Sequence, residues 1–163
     1  MIRRFIRARP GALALAVVLT AACEDSPTLP PFQVIDEVEF APSLGIDLAA
    51  FTGLPSGAYV QDVVVGTGDA AEAGSEVTLE YTGYLTDGSV FDPGDLPLVF
   101  VLGSGAVIPG FDEGVRGMQL GGQRRMIVPP ELAYGTQERT RDGAVIIPAG
   151  SILIFDVTLI GVS

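Results

Sequence analysis

Apolar and polar side chains alternate along several stretches of the chain after residue 56. Val77, Leu79 and Tyr81 share one face of an extended stretch, whereas Thr78 and Glu80 share the other. Because successive side chains of a strand point to opposite faces, this alternation is typical of a half-buried antiparallel strand. Strands are predicted over residues 58–65, 76–85, 98–102, 123–128 and 153–159.

One stretch has the periodicity of a helix instead. Phe111, Val115 and Met118 fall at positions i, i+4 and i+7, so they form a single apolar stripe between Pro109 and the glycine pair at 121–122. A lone short helix must bury that stripe against the apolar face of the sheet. The predicted fold class is therefore α+β, a twisted antiparallel β-sheet wrapped around one short α-helix.

Residues 1–22 have the composition of an export signal. Residues 1–9 are rich in arginine, and the apolar run that follows is shorter than the roughly 18–20 residues that span a bilayer. Small residues precede Cys23, as in a bacterial lipobox. We expect this signal peptide to be removed on export and Cys23 to be lipidated, anchoring the protein to a membrane of the bacterial cell envelope. A buried helix and an ordinary cut near Ala22 are the alternatives.

Residues 23–55 are interpreted as the lipidated cysteine, an acidic tether with several prolines, and a partly ordered lead-in to a domain of residues 56–163. Alternation over residues 32–40 favours a strand, although Pro42 and Pro55 interrupt the pattern that follows. No internal repeat is visible. The chain is therefore expected to hold one domain with an N-terminal extension.

The charge and the rare residue types restrict the function. Without residues 1–22, five arginines remain against 20 acidic residues, a net charge of −15, and the chain has no histidine. Such a charge disfavours nucleic acid as a partner, and it leaves acyl chains as the means of membrane attachment. The lack of histidine excludes a serine–histidine–aspartate triad, and a single cysteine excludes a multi-cysteine metal site. Paired carboxylates for glycoside hydrolysis stay open, although no spacing singles out a pair.

Several short motifs follow one another between residues 81 and 157. They are Tyr81-Thr82-Gly83, Val90-Phe91-Asp92, Val107–Phe111, Leu132–Gly135, Val145–Pro148 and Leu153–Val157. In this order they closely resemble the FKBP-type peptidyl-prolyl cis-trans isomerase domain, over roughly residues 56–161. The resemblance implies an FKBP-like fold and an enzyme that accelerates rotation about X-Pro bonds in exported chains, without a metal or another cofactor.

The chemistry of this reaction suits a chain without an obvious nucleophile. Twisting a peptide bond removes its resonance, at a barrier of about 18–20 kcal/mol. The planar form is the more polar one, so an apolar pocket that removes its hydration favours the twisted form. The alternative that the sequence leaves open is a proline-recognising binding module or holding chaperone without turnover.

The resemblance also implies a role for each matching residue. The implied catalytic residues are Tyr81, Asp92, Phe111 and Tyr134, and the implied substrate-binding residues are Phe91, Phe100, Val107, Ile108, Ile147 and Phe155. Phe111 corresponds to the pocket floor, where many members have tryptophan, and the Ile108 backbone N–H would bind a substrate carbonyl. The Tyr134 hydroxyl would bind a ligand, and Asp92 would place a carboxylate at the pocket edge. The competing interpretation is that the aromatic residues are ordinary core and that Asp92 caps a turn.

The partners implied by the resemblance are proline-containing unfolded or flexible polypeptides and macrolides of the rapamycin type. We expect no nucleic acid partner, a membrane contact through the acyl anchor alone, and a monomer.

Overall fold

The computed structural model describes residues 32–163. The predicted signal peptide, the lipidation site Cys23 and the tether lie outside the described residues. No helix within residues 32–163 is long and apolar enough to cross a membrane.

The described residues form nine strands, one α-helix and three short 3₁₀ helices. In chain order they are the 3₁₀ helices Pro42–Leu44 and Leu48–Ala50, β1 (Thr52–Gly53), β2 (Tyr59–Val64), β3 (Glu76–Leu85), β4 (Val90–Asp92), β5 (Leu98–Val101), α1 (Pro109–Val115), β6 (Gln123–Val128), the 3₁₀ helix Pro130–Leu132, β7 (Arg139–Arg141), β8 (Ala144–Ile147) and β9 (Leu153–Val162). The predicted class, an antiparallel sheet around one short helix, is confirmed.

The main sheet is antiparallel and has β9 and β3 at its centre. The strand order is β1-β2-β6-β9-β3-β4, and β5 pairs with the first half of β3 while β4 pairs with its end. The segment between β4 and β5 therefore passes Tyr81 without joining the ladder. This gap in the sheet edge gives side chains on β3 access to solvent beside the helix.

Alternation along β9 separates the two faces of the sheet. Leu153, Phe155 and Val157 are buried on the face that carries α1, whereas Ile154 is buried on the opposite face. Helix α1 approaches the first face closely because it contains Gly114, where a Cβ would lie 2.2 Å from the Met126 Sδ atom on β6. The α1 side of the sheet holds the main core, with about half of the sheet residues pointing into it.

The helix is shorter than the sequence predicts. It ends at Val115, because Arg116 leaves the helical conformation with a ψ of 134° and Gly117 has a φ of 77°. Phe111, Val115 and Met118 are all buried, as their spacing suggests, but Met118 follows the helix and reaches the core through a turn. The prediction that the helix extends to the glycine pair 121–122 was wrong. The apolar stripe does not require a helix along its whole length, because a turn also buries Met118.

The loop after Tyr134 contains a hairpin that the sequence does not predict. Strands β7 and β8 pair only with each other, antiparallel, in a small separate sheet. The three residues of β7 are exposed and polar. Because β7 has no buried residue, it has no apolar alternation from which the hairpin could be predicted.

The lead-in packs on the second face of the sheet. No strand forms between residues 32 and 51, so the strand favoured by the alternation over 32–40 is absent, and Val34 is half exposed. Ile35 and Leu44 are instead buried against Ile127 and Ile154. This contact covers apolar side chains of β6 and β9 that would otherwise face water.

Polar contacts fix the same segment to the sheet. The Gln33 side-chain oxygen accepts a hydrogen bond from the backbone N–H of Ile152 at 2.8 Å. The Arg125 guanidinium donates both to the Leu44 carbonyl and to Asp156. The lead-in is thus an integral layer of the described structure.

We expect Leu44→Ala to lower the free energy of unfolding by about 2–5 kcal/mol, the usual loss when a buried leucine is truncated. Urea denaturation followed by circular dichroism measures the change. Val34→Ala is the matched control, because Val34 is 50% exposed and should cost little. Equal stability of Leu44→Ala and wild type would show that the lead-in does not stabilise the domain.

Candidate active site

A cavity of about 400 Å³ lies between α1, the edge of the sheet and the segment that precedes the helix. Its lining residues are Tyr81, Phe91, Asp92, Leu98, Gly105, Ala106, Val107, Ile108, Phe111, Tyr134, Arg139 and Phe155. We call it the aromatic cavity. Its size and its mixture of aromatic walls with few polar groups are typical of a ligand site.

The floor of the aromatic cavity is a cluster of interlocking rings. The Phe111 ring, on α1, makes edge-to-face contacts with the rings of Phe155 and Tyr81, at centroid distances of 5.0 and 5.8 Å. Phe91 packs edge-to-face on Phe155 at 5.7 Å. Such pairs contribute about 0.5–1.5 kcal/mol each beyond the area they bury. The rings therefore hold one another in a fixed shape.

Gly83 makes room for this cluster. A Cβ at Gly83, on β3, would lie 2.5 Å from the Phe91 ring. Any larger residue would displace Phe91 and with it the wall of the cavity. The sequence Tyr81-Thr82-Gly83 thus has a physical reason: its first residue lines the cavity, and its third lets the opposite wall approach.

Asp92 is held at the cavity edge without an ion pair to any arginine within residues 32–163. Its carboxylate accepts a hydrogen bond from the Tyr81 hydroxyl at 2.8 Å and another from the backbone N–H of Gly94 at 3.2 Å. The hydrogen bond from Gly94 is the turn cap that the competing interpretation assigns to Asp92. The contact with Tyr81 shows that the same carboxylate also belongs to the cavity wall.

Burial, together with the hydrogen bond to the Asp92 carboxylate, raises the pKa of Tyr81 to about 12. The neutral phenol is therefore the form present at physiological pH, and it donates its proton to Asp92. The pair places one fixed dipole at an otherwise apolar wall.

Two hydrogen-bond donors on the cavity lining are left without partners among residues 32–163. The backbone N–H of Ile108, immediately before α1, donates to no acceptor there, and neither does the Tyr134 hydroxyl. Both residues are only partly buried, so a bound chain can reach them. An extended ligand over the aromatic floor could therefore satisfy both donors.

Eight of the ten residues that the resemblance implies line the aromatic cavity. Phe100 and Ile147 do not. Phe100 is buried behind Phe111, with ring centroids 6.1 Å apart, so it supports the floor without lining it. Ile147 is buried too and lines a smaller adjoining cavity of about 360 Å³. The structure thus brings the predicted set together, while the catalytic role of each residue remains a prediction.

No sequence pattern points to Arg139, which also lines the aromatic cavity. Its guanidinium lies 4.4 Å from the centroid of the Tyr134 ring. The contact depends on the β7–β8 hairpin, and the residues between Tyr134 and Arg139 show no period that would predict it. Gly105 and Ala106 were missed for the same reason, since the segment before α1 is irregular.

A second groove, of about 510 Å³, lies across strands β6, β9 and β3 near Tyr81 and Arg125. It is lined mainly by polar and charged side chains, and Arg125 in it is already paired with Asp156. The hydrogen bond to Asp156 raises the pKa of Arg125. Because this charge is already paired, the groove is a weaker candidate for a binding site than the aromatic cavity.

Comparison with known proteins identifies the same region. The family model for FKBP-type peptidyl-prolyl cis-trans isomerases matches residues 68–160. FK506-binding protein 4 from Mycosarcoma maydis is 46% identical over 111 residues, which cover 67% of this chain and 28% of that protein. The curated relatives are thus much longer, and this chain spans about a quarter of their length.

Two solved structures have a similar fold. A peptidyl-prolyl cis-trans isomerase from Pseudomonas syringae pv. tomato is 31% identical with a TM-score of 0.62, covering 70% of this chain and 81% of that one. FkpA from Escherichia coli is 34% identical with a TM-score of 0.60, covering 75% of this chain and 55% of that one. The similarity confirms the predicted FKBP-like architecture.

The raised pKa of Tyr81 gives a testable pH dependence. An unfolded tyrosine titrates near pH 10, so the stability that the neutral phenol contributes should be complete below about pH 10. It should be lost as the pH rises from there to about 12. The stability difference between wild type and Tyr81→Phe, measured by urea denaturation across this range, should shrink accordingly. A difference that does not change with pH would contradict the assignment.

Proposed function

Because the chain belongs to the FKBP-type peptidyl-prolyl cis-trans isomerase family, we propose that its aromatic cavity catalyses cis-trans isomerisation of X-Pro bonds. The observation that carries the proposal is the buried ring cluster around Phe111 beside unpartnered donors at Ile108 and Tyr134. The substrates are unfolded or flexible segments of exported proteins.

The geometry suggests how the cavity would lower the barrier. A proline ring packed on Phe111 brings the preceding amide into an apolar surrounding, which removes hydration from the polar planar form. The Ile108 N–H would bind a carbonyl of the substrate chain and fix one side of the bond. The neutral Tyr81 and its partner Asp92 hold the wall in place, so the twisted amide meets a preformed surface. Each factor of ten in rate needs about 1.4 kcal/mol.

We also propose that the cavity accepts macrolides of the rapamycin type. The support is its aromatic floor and the name of the fungal relatives, which are FK506-binding proteins. A complete lining from one chain is consistent with action as a monomer, since no second copy is needed to close the site.

For the N-terminal extension we propose an acyl anchor on Cys23 after removal of residues 1–22. The support is the arginine-rich start, the short apolar run and the small residues before this cysteine. One acyl chain binds a membrane only marginally, so stable anchoring requires at least two. A prolyl isomerase held in the cell envelope in this way would meet exported chains early, before slow X-Pro bonds delay their folding.

We expect the purified protein to accelerate refolding of a test protein whose slow phase is limited by proline isomerisation. Phe111→Leu should lower kcat/KM about tenfold, because the smaller side chain leaves part of the floor open, which corresponds to about 1.4 kcal/mol. Phe51→Leu, in the lead-in, is the matched control and should turn over like wild type. Wild-type protein that prevents aggregation of unfolded clients without accelerating refolding would support the binding module instead.

Tyr134→Phe removes only a hydroxyl and should weaken macrolide binding while leaving the fold intact. Isothermal titration calorimetry gives the change, which we expect to be a factor of about ten, the value of one hydrogen bond of about 1 kcal/mol or slightly more. Tyr84→Phe, on the opposite face of the sheet, is the control. Unchanged binding by Tyr134→Phe would remove Tyr134 from the site.

The anchor has its own test. Cys23→Ser should convert a membrane-bound protein into one released from the membrane fraction, and the intact mass of the extracted wild type should show the cut after Ala22 and the added acyl chains. A free, unmodified Cys23 thiol in the wild type would refute the anchor, while the isomerase proposal would stand.

A further inference from the structure

The five arginines within residues 32–163 fall into two groups. Three of them, Arg116, Arg124 and Arg125, each form an ion pair with an aspartate. The other two, Arg139 and Arg141, form no ion pair with any residue that the structure describes. Both belong to β7, and both line the cavity of about 360 Å³ that adjoins the aromatic cavity. The cationic side chains still available for a partner are thus gathered at one place.

This place is the margin of the candidate active site. The adjoining cavity shares Phe91, Asp92 and Tyr134 with the aromatic cavity, and Arg139 lines both. The cation–π contact with Tyr134 limits the freedom of the Arg139 guanidinium, although its residue is exposed. A polypeptide whose proline occupies the aromatic floor has flanking residues that extend over this margin.

The surroundings decide which charge the margin favours. Two acidic residues line the adjoining cavity, Glu138 and Asp92. The Asp92 carboxylate already accepts hydrogen bonds from Tyr81 and Gly94, so Glu138 is the acid that can compete for a guanidinium. Asp142 follows β7 directly in the hairpin turn, but it does not line the adjoining cavity. Acids that lie beyond a Debye length, about 8 Å at physiological ionic strength, act only weakly at the margin. Arginine also offers several donors in one plane, which match a carboxylate in both geometry and charge.

We propose that Arg139 and Arg141 are specificity-determining residues that select X-Pro segments carrying an aspartate or glutamate close to the proline. The inference rests on the proposed isomerase function and names the substrate class of the same site. The guanidinium groups bind the acidic side chain of the substrate, while the aromatic cavity holds its proline.

The test compares three peptide sets that differ at one residue near the proline. The first set carries glutamate at the varied position, the second glutamine and the third lysine. Within each set, the varied position moves through the two residues on either side of the X-Pro bond. For the wild type, kcat/KM should be about two- to fivefold higher with glutamate than with glutamine at the best position, the range expected for a solvent-exposed ion pair. Lysine should be the poorest, and added salt should reduce the preference.

Variants of β7 and its neighbour assign the preference to the arginines. The ratio of kcat/KM for glutamate over glutamine should fall to about one in the double variant Arg139→Gln/Arg141→Gln. It should rise in Glu138→Gln, because the competing acid is removed. Arg116→Gln is the control: it changes the net charge by the same amount as one β7 substitution, at a residue whose partner is Asp112, and should keep the wild-type ratio.

Peptide affinities, measured by calorimetry on the same variants, separate this inference from the proposed function. Wild type that isomerises all peptides with a ratio of one would overturn the charge selection and leave the isomerase in place. Wild type without turnover would refute the isomerase, and the affinity ratio would then still decide whether β7 selects acidic chains. A preference retained by the double variant would refute the role of the two arginines.

Discussion

The packing of Phe111 against Phe155 and Tyr81 is the contact on which both the fold and the candidate site depend. The ring joins the only α-helix of the described residues to the central strand pair, and it is 3% exposed. The exposed remainder is the floor of the aromatic cavity. The same side chain is therefore core on one side and binding surface on the other. The two interpretations of the aromatic residues, core or pocket, describe one arrangement.

That arrangement explains why the remaining layers are needed. A floor made of core residues keeps its shape only if the sheet beneath it is rigid. A sheet whose second apolar face was uncovered would be less rigid. The lead-in covers Ile127 and Ile154 on the far face, and Arg125 ties the same layer to Asp156. Support for the cavity thus comes from a segment that does not line it.

The sequence was sufficient where burial imposes a period. Strands β3 and β9 have one face in the main core, so their alternation predicted them, and the resemblance placed eight of ten site residues on the cavity. The sequence was insufficient to predict the structure where burial is irregular or absent. Ile35 and Leu44 are buried by turns and 3₁₀ helices that have no repeating pattern, and β7 is exposed throughout. Arg139 reaches Tyr134 only because the hairpin folds back, which no local pattern encodes.

The distribution of charge agrees with the nature of the proposed reaction. Rotation about a prolyl bond needs no acid, base or metal inside the cavity, and a buried charge there would restore the hydration that the apolar walls remove. Tyr81 accordingly stays neutral, and Asp92 lies at the edge with its oxygens hydrogen-bonded. Charge can vary freely only at the margin, where it does not disturb the barrier but does meet the residues that flank the proline. In this chain that margin carries Arg139 and Arg141, so the proposed catalytic surface and the proposed substrate-selecting arginines occupy separate regions of the same candidate site.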